Sequence, residues 1–259
     1  MFKNLLSNQN IRKYVQDRIY ECTHVYPLIK LENLGKEERL PIAVDIGANV
    51  GGFCVAAHDH FEKIYAFEPY VPNYQMLLQV LDAKNISNVE AYNTAIYGYS
   101  NRHLELKAPS DLTDSGGITC IKEGATDYKD LNAKCETISL GDMFDALEID
   151  KIDYLKIDCE GSEYSIFENF NNYEKISVIA MEVHDIYGPA RKEELLRFLN
   201  QHYNIIPLDN QILRGDKQEI EIQDLHTQDA ALELQPELDI KKLATNAHLL
   251  FVNRRHDET

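Results

Sequence analysis

The sequence predicts an α/β fold in which a parallel sheet is covered by helices on both faces. Three observations predict it: short apolar runs recur from residue 41 onward, helical stretches separate them, and a glycine-rich turn joins the first run to the first helix. With 259 residues, 44% of them hydrophobic and 27% charged, the chain is long enough to bury one large core.

The first forty residues stand apart. They carry seven Lys/Arg and five Asp/Glu, a balance of +2, so the remaining residues carry −19 and the whole chain −17. Ile11, Tyr14, Val15, Arg18 and Ile19 follow helical spacing, which predicts an amphipathic helix over roughly residues 9–21. Residues 1–40 are therefore expected to be a helical extension that packs on the main domain, 41–259, or on a second subunit as a homo-oligomer contact. Its polar face is not basic enough to favour a membrane surface.

From Pro41 the strands are expected at Ile42 to Ile46, Lys63 to Phe67, Val89 to Tyr92, Ile152 to Ile157, Ser177 to Met181, Tyr203 to Leu208 and His248 to Val252. Helices are expected at Val50 to His60, Pro72 to Lys84, Gly141 to Leu147, Ser162 to Phe170 and Ala190 to Gln201. The rhythm breaks between Tyr97 and Leu140. There Leu104 to Lys107 and Cys135 to Ile138 alternate like strands around Ser115-Gly116-Gly117, so an antiparallel insertion or flap over a cleft is expected, with the glycines as a lid hinge. The acidic stretch Asp209 to Asn246 shows no period and reads as a connection inside a terminal hairpin.

Composition excludes several functions. Lys and Arg total 26 against 43 Asp and Glu, a balance that repels a phosphate backbone and disfavours a nucleic-acid partner. No run approaches the ~18–20 apolar residues of a membrane span, and the opening lacks a signal-peptide core, so a soluble, cytoplasmic protein is expected. Five cysteines without a Cys-x-x-Cys pair argue against a disulfide framework or a structural zinc site.

The sharpest local signal is Val44-Asp45-Ile46-Gly47-Ala48-Asn49-Val50-Gly51-Gly52-Phe53. Gly47 and Gly51 would let the backbone turn tightly and approach a ligand closely. The dinucleotide fingerprint Gly-x-Gly-x-x-Gly is not met, because Asn49 stands at its second glycine. Asp45, two positions before Gly47, suits an ammonium group better than a phosphate, so the loop points to a zwitterionic nucleoside. Glu68 ends the next strand, where a carboxylate can accept hydrogen bonds from ribose hydroxyls; the bland reading is a cap on the helix that follows.

These residues resemble the S-adenosylmethionine-dependent class I methyltransferases, and the wording of the glycine loop resembles the FkbM-type branch. The resemblance continues through Phe67-Glu68-Pro69, Asn88-Val89, Thr137 to Asp142, Ile152 to Glu163 and Leu249 to Val252, covering about residues 41–206 and the last strand. It implies a Rossmann-like, seven-stranded, mostly parallel sheet with one reversed strand and the cofactor across the ends of the first strands. It also implies methyl transfer to a hydroxyl of a sugar, glycan or other natural product. Cofactor contacts then fall on Asp45, Gly47, Asn49, Gly51, Glu68 and Asp158.

Methyl transfer to an alcohol needs alignment and removal of the acceptor proton. Two clusters end the fourth and fifth predicted core strands: Lys156-Ile157-Asp158-Cys159-Glu160-Gly161 and Met181-Glu182-Val183-His184-Asp185. His184, with a reference pKa of about 6.5, is the expected general base, beside Asp158 and Glu160. A competing reading places a divalent cation such as magnesium on Asp158, Glu182 and His184, lowering the pKa of the acceptor hydroxyl. A third reading makes these acids helix caps, with Ser162 and Glu163 favouring a helix start. Two rivals to the whole function are a nicotinamide-dependent oxidoreductase, which Asp45 and Asn49 count against, and a non-catalytic cofactor-binding protein.

Overall fold

The computed structural model describes residues 7–25, 39–110, 117–120, 128–207 and 247–254. The sheet arises from runs whose alternate residues feed two cores. Its strands are β1 (Leu40–Ile46), β2 (Phe61–Phe67), β3 (Val89–Tyr92), β7 (Ile152–Ile157), β8 (Ile176–Val183), β9 (Tyr203–Pro207) and β10 (Ala247–Asn253). They lie in the order β3-β2-β1-β7-β8-β10-β9, and β10 runs antiparallel to both its neighbours. The other pairings are parallel.

Odd and even strand positions face opposite ways. Val44 and Ile46 of β1 and Leu155 and Ile157 of β7 pack with α4 (Leu140–Ala146), α5 (Glu163–Glu168) and α6 (Pro189–Leu199). Ala43, Tyr154, Ala180 and Leu250 face the other way, onto α2 (Gly52–Ala57) and α3 (Val71–Ala83). There Phe53 stacks on Tyr154 at 5.7 Å between ring centroids. Each fully buried Leu, Ile or Phe contributes about 1.5–3 kcal/mol, so two continuous apolar faces hold the layers together.

The expected strands and helices are present, with ends shifted by one or two residues in most. The helix expected over Val50 to His60 splits into α2 and a 3₁₀ turn, His58–His60. The helix expected over Ser162 to Phe170 is only Glu163–Glu168. In the insertion, β5 (His103–Pro109) pairs antiparallel with the long β6 (Tyr128–Ser139) as expected. A further strand, β4 (Ala95–Tyr97), pairs parallel with β6 and makes a three-stranded sheet. Ser115 and Gly116 of the expected hinge, and Asp209 to Asn246, lie outside the described residues.

The N-terminal helix α1 (Gln9–Val25) lies against α2 and α3. Val15 is buried among Val50, Met76 and Val80, with Ile11, Tyr14 and Ile19 beside it, one stripe at helical spacing. Asn8 caps the first turn by accepting from the Asn10 amide at 2.9 Å. Among the described residues no helix is long and apolar enough to cross a membrane.

Candidate active site

Strands β1, β2, β7 and β8 end on one side of the sheet around a cavity of about 260 Å³. Its floor is the glycine loop. Gly47 (φ 77°), Asn49 (φ 51°) and Gly51 (φ 88°) all take left-handed backbone conformations there. Gly47 and Gly51 also face the chain itself closely. A Cβ on Gly47 would lie 1.8 Å from the Asp158 carbonyl oxygen, and one on Gly51 would lie 2.5 Å from a Leu77 methyl. The loop thus folds tightly onto the end of β7 and onto α3, and Gly47 lines the cavity as well.

Asp45 has an internal partner. Its register partner across the sheet is Lys156, and both side chains leave on the α2 face. The carboxylate is fully buried, 3.1 Å from Lys156 Nζ, and accepts from Cys54 Sγ at 3.4 Å. It does not line the cavity. The expected ammonium partner of the ligand already has an ammonium partner inside the chain. Burial pushes the Asp45 carboxyl up and Lys156 pulls it down; burial works against the Lys156 ammonium, and Asp45 and Asp158 hold it charged. Lys156 also donates to the Gly47 carbonyl at 2.8 Å and lies 3.8 Å from Asp158, so this one cation ties loop, floor and rim together.

Glu68 lines the cavity although only 5% exposed. Oε2 accepts from the Asn49 amide and Oε1 from the Tyr70 amide, both at 2.8 Å. It thus joins the glycine loop to the start of α3, and the cap reading and the ligand reading describe one residue, since each oxygen keeps further acceptor capacity. Burial pushes its carboxyl up to about 7, against the two amides. The Asn49 side chain accepts from Tyr14 of α1 at 3.0 Å.

At the opposite end, the chain turns back after β7 through Glu160 (φ 54°) and Gly161 (φ 100°). His184, just past β8, is buried here. Its Nδ1 lies 2.8 Å from Glu163 Oε1, which aims Nε2 at Glu160 (3.4 Å), Glu182 (3.6 Å) and Asp158 (3.9 Å). Burial alone would depress the imidazole, but Glu163, Glu160 and Asp158 drive it up to about 10. The surrounding carboxylates thus favour the imidazolium, the form that holds its proton, over the neutral ring that the expected general base requires. Glu160, in contrast, is pushed up to about 8 by burial and neighbouring acids, with His184 opposing.

The tight set of possible metal ligands also differs from expectation. Ligand atoms of Asp158, Glu160 and His184 lie within 4.8 Å of one another, whereas Glu182 leans to His248 of β10 at 3.2 Å. Glu163 opens α5, as the helix-start reading expects, and its fully buried side chain reaches the Cys159 amide at 3.3 Å and His184. The insertion reaches this end too. Thr119 donates to the Glu160 carbonyl at 2.7 Å, and Ile118 and Cys120 line the wall. All five thiols are unbridged, and Cys54, Cys120 and Cys135 are buried.

Sequence reasoning misses the roles of Lys156, Glu163 and Arg18. A lone lysine inside an apolar strand is the available signal for the first. Glu163 has the look of a helix-start residue and nothing more. Arg18, on α1, lines the cavity, yet in the sequence it is only one member of a helical stripe.

Residues 45–206 match the family model described as the methyltransferase FkbM domain. A search of curated proteins finds no match. Among solved structures, the chain is similar to a methyltransferase FkbM from Methylobacillus flagellatus KT at 19% identity, covering 71% of this chain and 43% of that one, with a TM-score of 0.43. It therefore spans less than half the length of that protein. An rRNA methylase from Streptococcus thermophilus is 11% identical, with coverage of 92% and 95% and a TM-score of 0.42. TrmK from M. capricolum, in complex with S-adenosyl-homocysteine, is 12% identical, with coverage of 92% and 68% and a TM-score of 0.39.

Proposed function

The chain belongs to the methyltransferase FkbM domain family, and from that premise we propose that it is an S-adenosylmethionine-dependent O-methyltransferase acting on a hydroxyl of a sugar, glycan or other natural product. The observation that carries the reading is the pairing of unlike ends in one cavity: Glu68 beside the glycine loop, and Glu160, Asp158 and His184 opposite. A nucleoside with a charged amino-acid tail fits such a cavity, because Glu68 retains acceptor capacity for ribose hydroxyls. A nicotinamide dinucleotide fits less well, since the fully buried Asp45 and the Asn49 side chain occupy the positions where its fingerprint needs an uncharged residue and a glycine.

When bound, the cofactor supplies a methyl group on a positively charged sulfur that needs no further activation. The chain has to hold the acceptor oxygen in line and remove its proton. In its ionised form Glu160 would take the proton from the hydroxyl on Oε2 as the oxygen attacks, so turnover should rise with pH toward about 8. His184 is a positioning residue. Glu163 fixes its ring, and its positive charge holds Glu160 and Asp158 together at the cavity wall. That imidazolium supplies the positive charge which the expected magnesium would bring to the same acids, so this reading needs no divalent cation.

Screening hydroxylated metabolites for a mass shift with labelled S-adenosylmethionine tests the function. Glu160→Gln is expected to lower kcat by about a hundredfold or more while S-adenosylhomocysteine affinity stays within about twofold. Turnover by the native protein should persist in excess chelator; loss restored by magnesium would put a cation back on Asp158 and its neighbours. Binding of a nicotinamide cofactor with no response to S-adenosylmethionine would end the reading.

A further inference from the structure

Five carboxylates line the cavity, Glu21, Glu68, Asp158, Glu160 and Glu182, against three cations, Arg18, Lys156 and His184. Lys156 faces Asp45 and the Gly47 carbonyl, and His184 faces Glu163 and the acids of the far wall. Arg18 comes from α1, outside the sheet and its loops. A ligand with a zwitterionic amino-acid tail brings one anionic group into this acidic surrounding, and only a cation at the wall can offset the repulsion it meets. Resting on the cofactor reading above, we propose that Arg18 binds the carboxylate of that tail, so that α1 is part of the cofactor site.

Two features of the structure support it. First, α1 is held to the glycine loop at a fixed distance. The Tyr14 hydroxyl donates to Asn49, and Gly52 lacks a side chain where the helix passes: a Cβ there would lie 2.7 Å from the Arg18 carbonyl oxygen and 3.0 Å from Cys22 Sγ. Second, the guanidinium is pre-set for a carboxylate. It lies over the Tyr14 ring at 5.6 Å and already pairs with the Glu21 carboxylate at 2.7 Å, and both side chains are partly exposed (33% and 42%). The planar fork of arginine takes a carboxylate through two hydrogen bonds, so a ligand carboxylate can replace Glu21 in kind.

Two ligands that share the nucleoside separate this role from general support of the fold. S-adenosylhomocysteine carries the amino-acid tail, and 5′-methylthioadenosine lacks it. By calorimetry, Arg18→Ala should weaken S-adenosylhomocysteine by about tenfold or more and leave 5′-methylthioadenosine within about twofold. Arg18→Lys, which keeps the charge without the fork, should show a smaller selective loss. Unchanged S-adenosylhomocysteine affinity in Arg18→Ala, or equal loss of both ligands in both variants, would overturn the proposal while leaving the cofactor reading in place. Native protein that binds neither ligand would overturn the cofactor reading, and this proposal with it.

Discussion

Two buried acid and cation pairs back the cavity, one behind each end. Asp45 holds Lys156 under the glycine loop, and Glu163 holds His184 under the turn after β7; both acids are fully buried. The pairs differ in what they present. Lys156 turns its remaining capacity to a backbone carbonyl and fixes the shape of the loop. His184 turns its second nitrogen to three side-chain carboxylates that line the cavity. One pair builds a rigid floor from main-chain contacts, and the other organises groups that can move protons. The same device thus serves shape at the nucleoside end and chemistry at the far end.

The largest expected effect breaks the floor. Lys156→Met leaves the fully buried Asp45 without its charge partner, which should cost about 3–5 kcal/mol in denaturant unfolding. His184→Gln can keep a hydrogen bond to Glu163 without the charge, so its stability loss should be smaller and its turnover loss greater. Equal stability losses would erase the contrast between floor and wall. Next comes Gly52→Ala. Its methyl group must push the Arg18 carbonyl aside, costing about 1–3 kcal/mol and releasing α1 to proteolysis before the sheet.

A smaller effect follows from Glu68. Its carboxyl is raised to about 7 by burial, so below that pH it is largely protonated and has less capacity to accept from ribose. S-adenosylhomocysteine affinity should rise with pH through about 7 and level off above it, by no more than about tenfold. Glu68→Gln should flatten the profile. The same shift costs stability as pH rises past the unfolded value, because the raised group must ionise while buried. A profile unchanged by Glu68→Gln would assign the pH response elsewhere.

Most of the fold is legible in the sequence because buried strands leave a two-residue signature and helices a longer one. The three-residue β4 leaves neither, so its parallel pairing with β6 is invisible there. The site is legible as a set of residues and less so as a set of roles. Asp45 and Lys156 sit in separate motifs far apart in sequence, and only the register of β1 against β7 makes them neighbours. His184 reads as a base because its reference pKa suggests one, and the four carboxylates that surround it and favour its charged form come from separate parts of the chain. Gly47 and Gly51 stand out in the sequence as necessary glycines, but the neighbours a side chain there would meet within the chain, the Asp158 carbonyl and Leu77, cannot be read from it.

The place of β10 has a consequence for how the protein is made. It lies between β8 and β9 although it follows both in sequence, and among the described residues β9 has no other neighbour in the sheet. On the ribosome, the apolar edge of β8 waits open until residues 247–253 emerge. Thirty-nine residues separate the end of β9 at Pro207 from the start of β10 at Ala247. At about 5–20 residues per second, synthesis of that stretch takes about 2–8 s. For that interval the nascent chain displays an unpaired strand edge, the surface most open to wrong pairing with other chains, and chaperone capture fits that window.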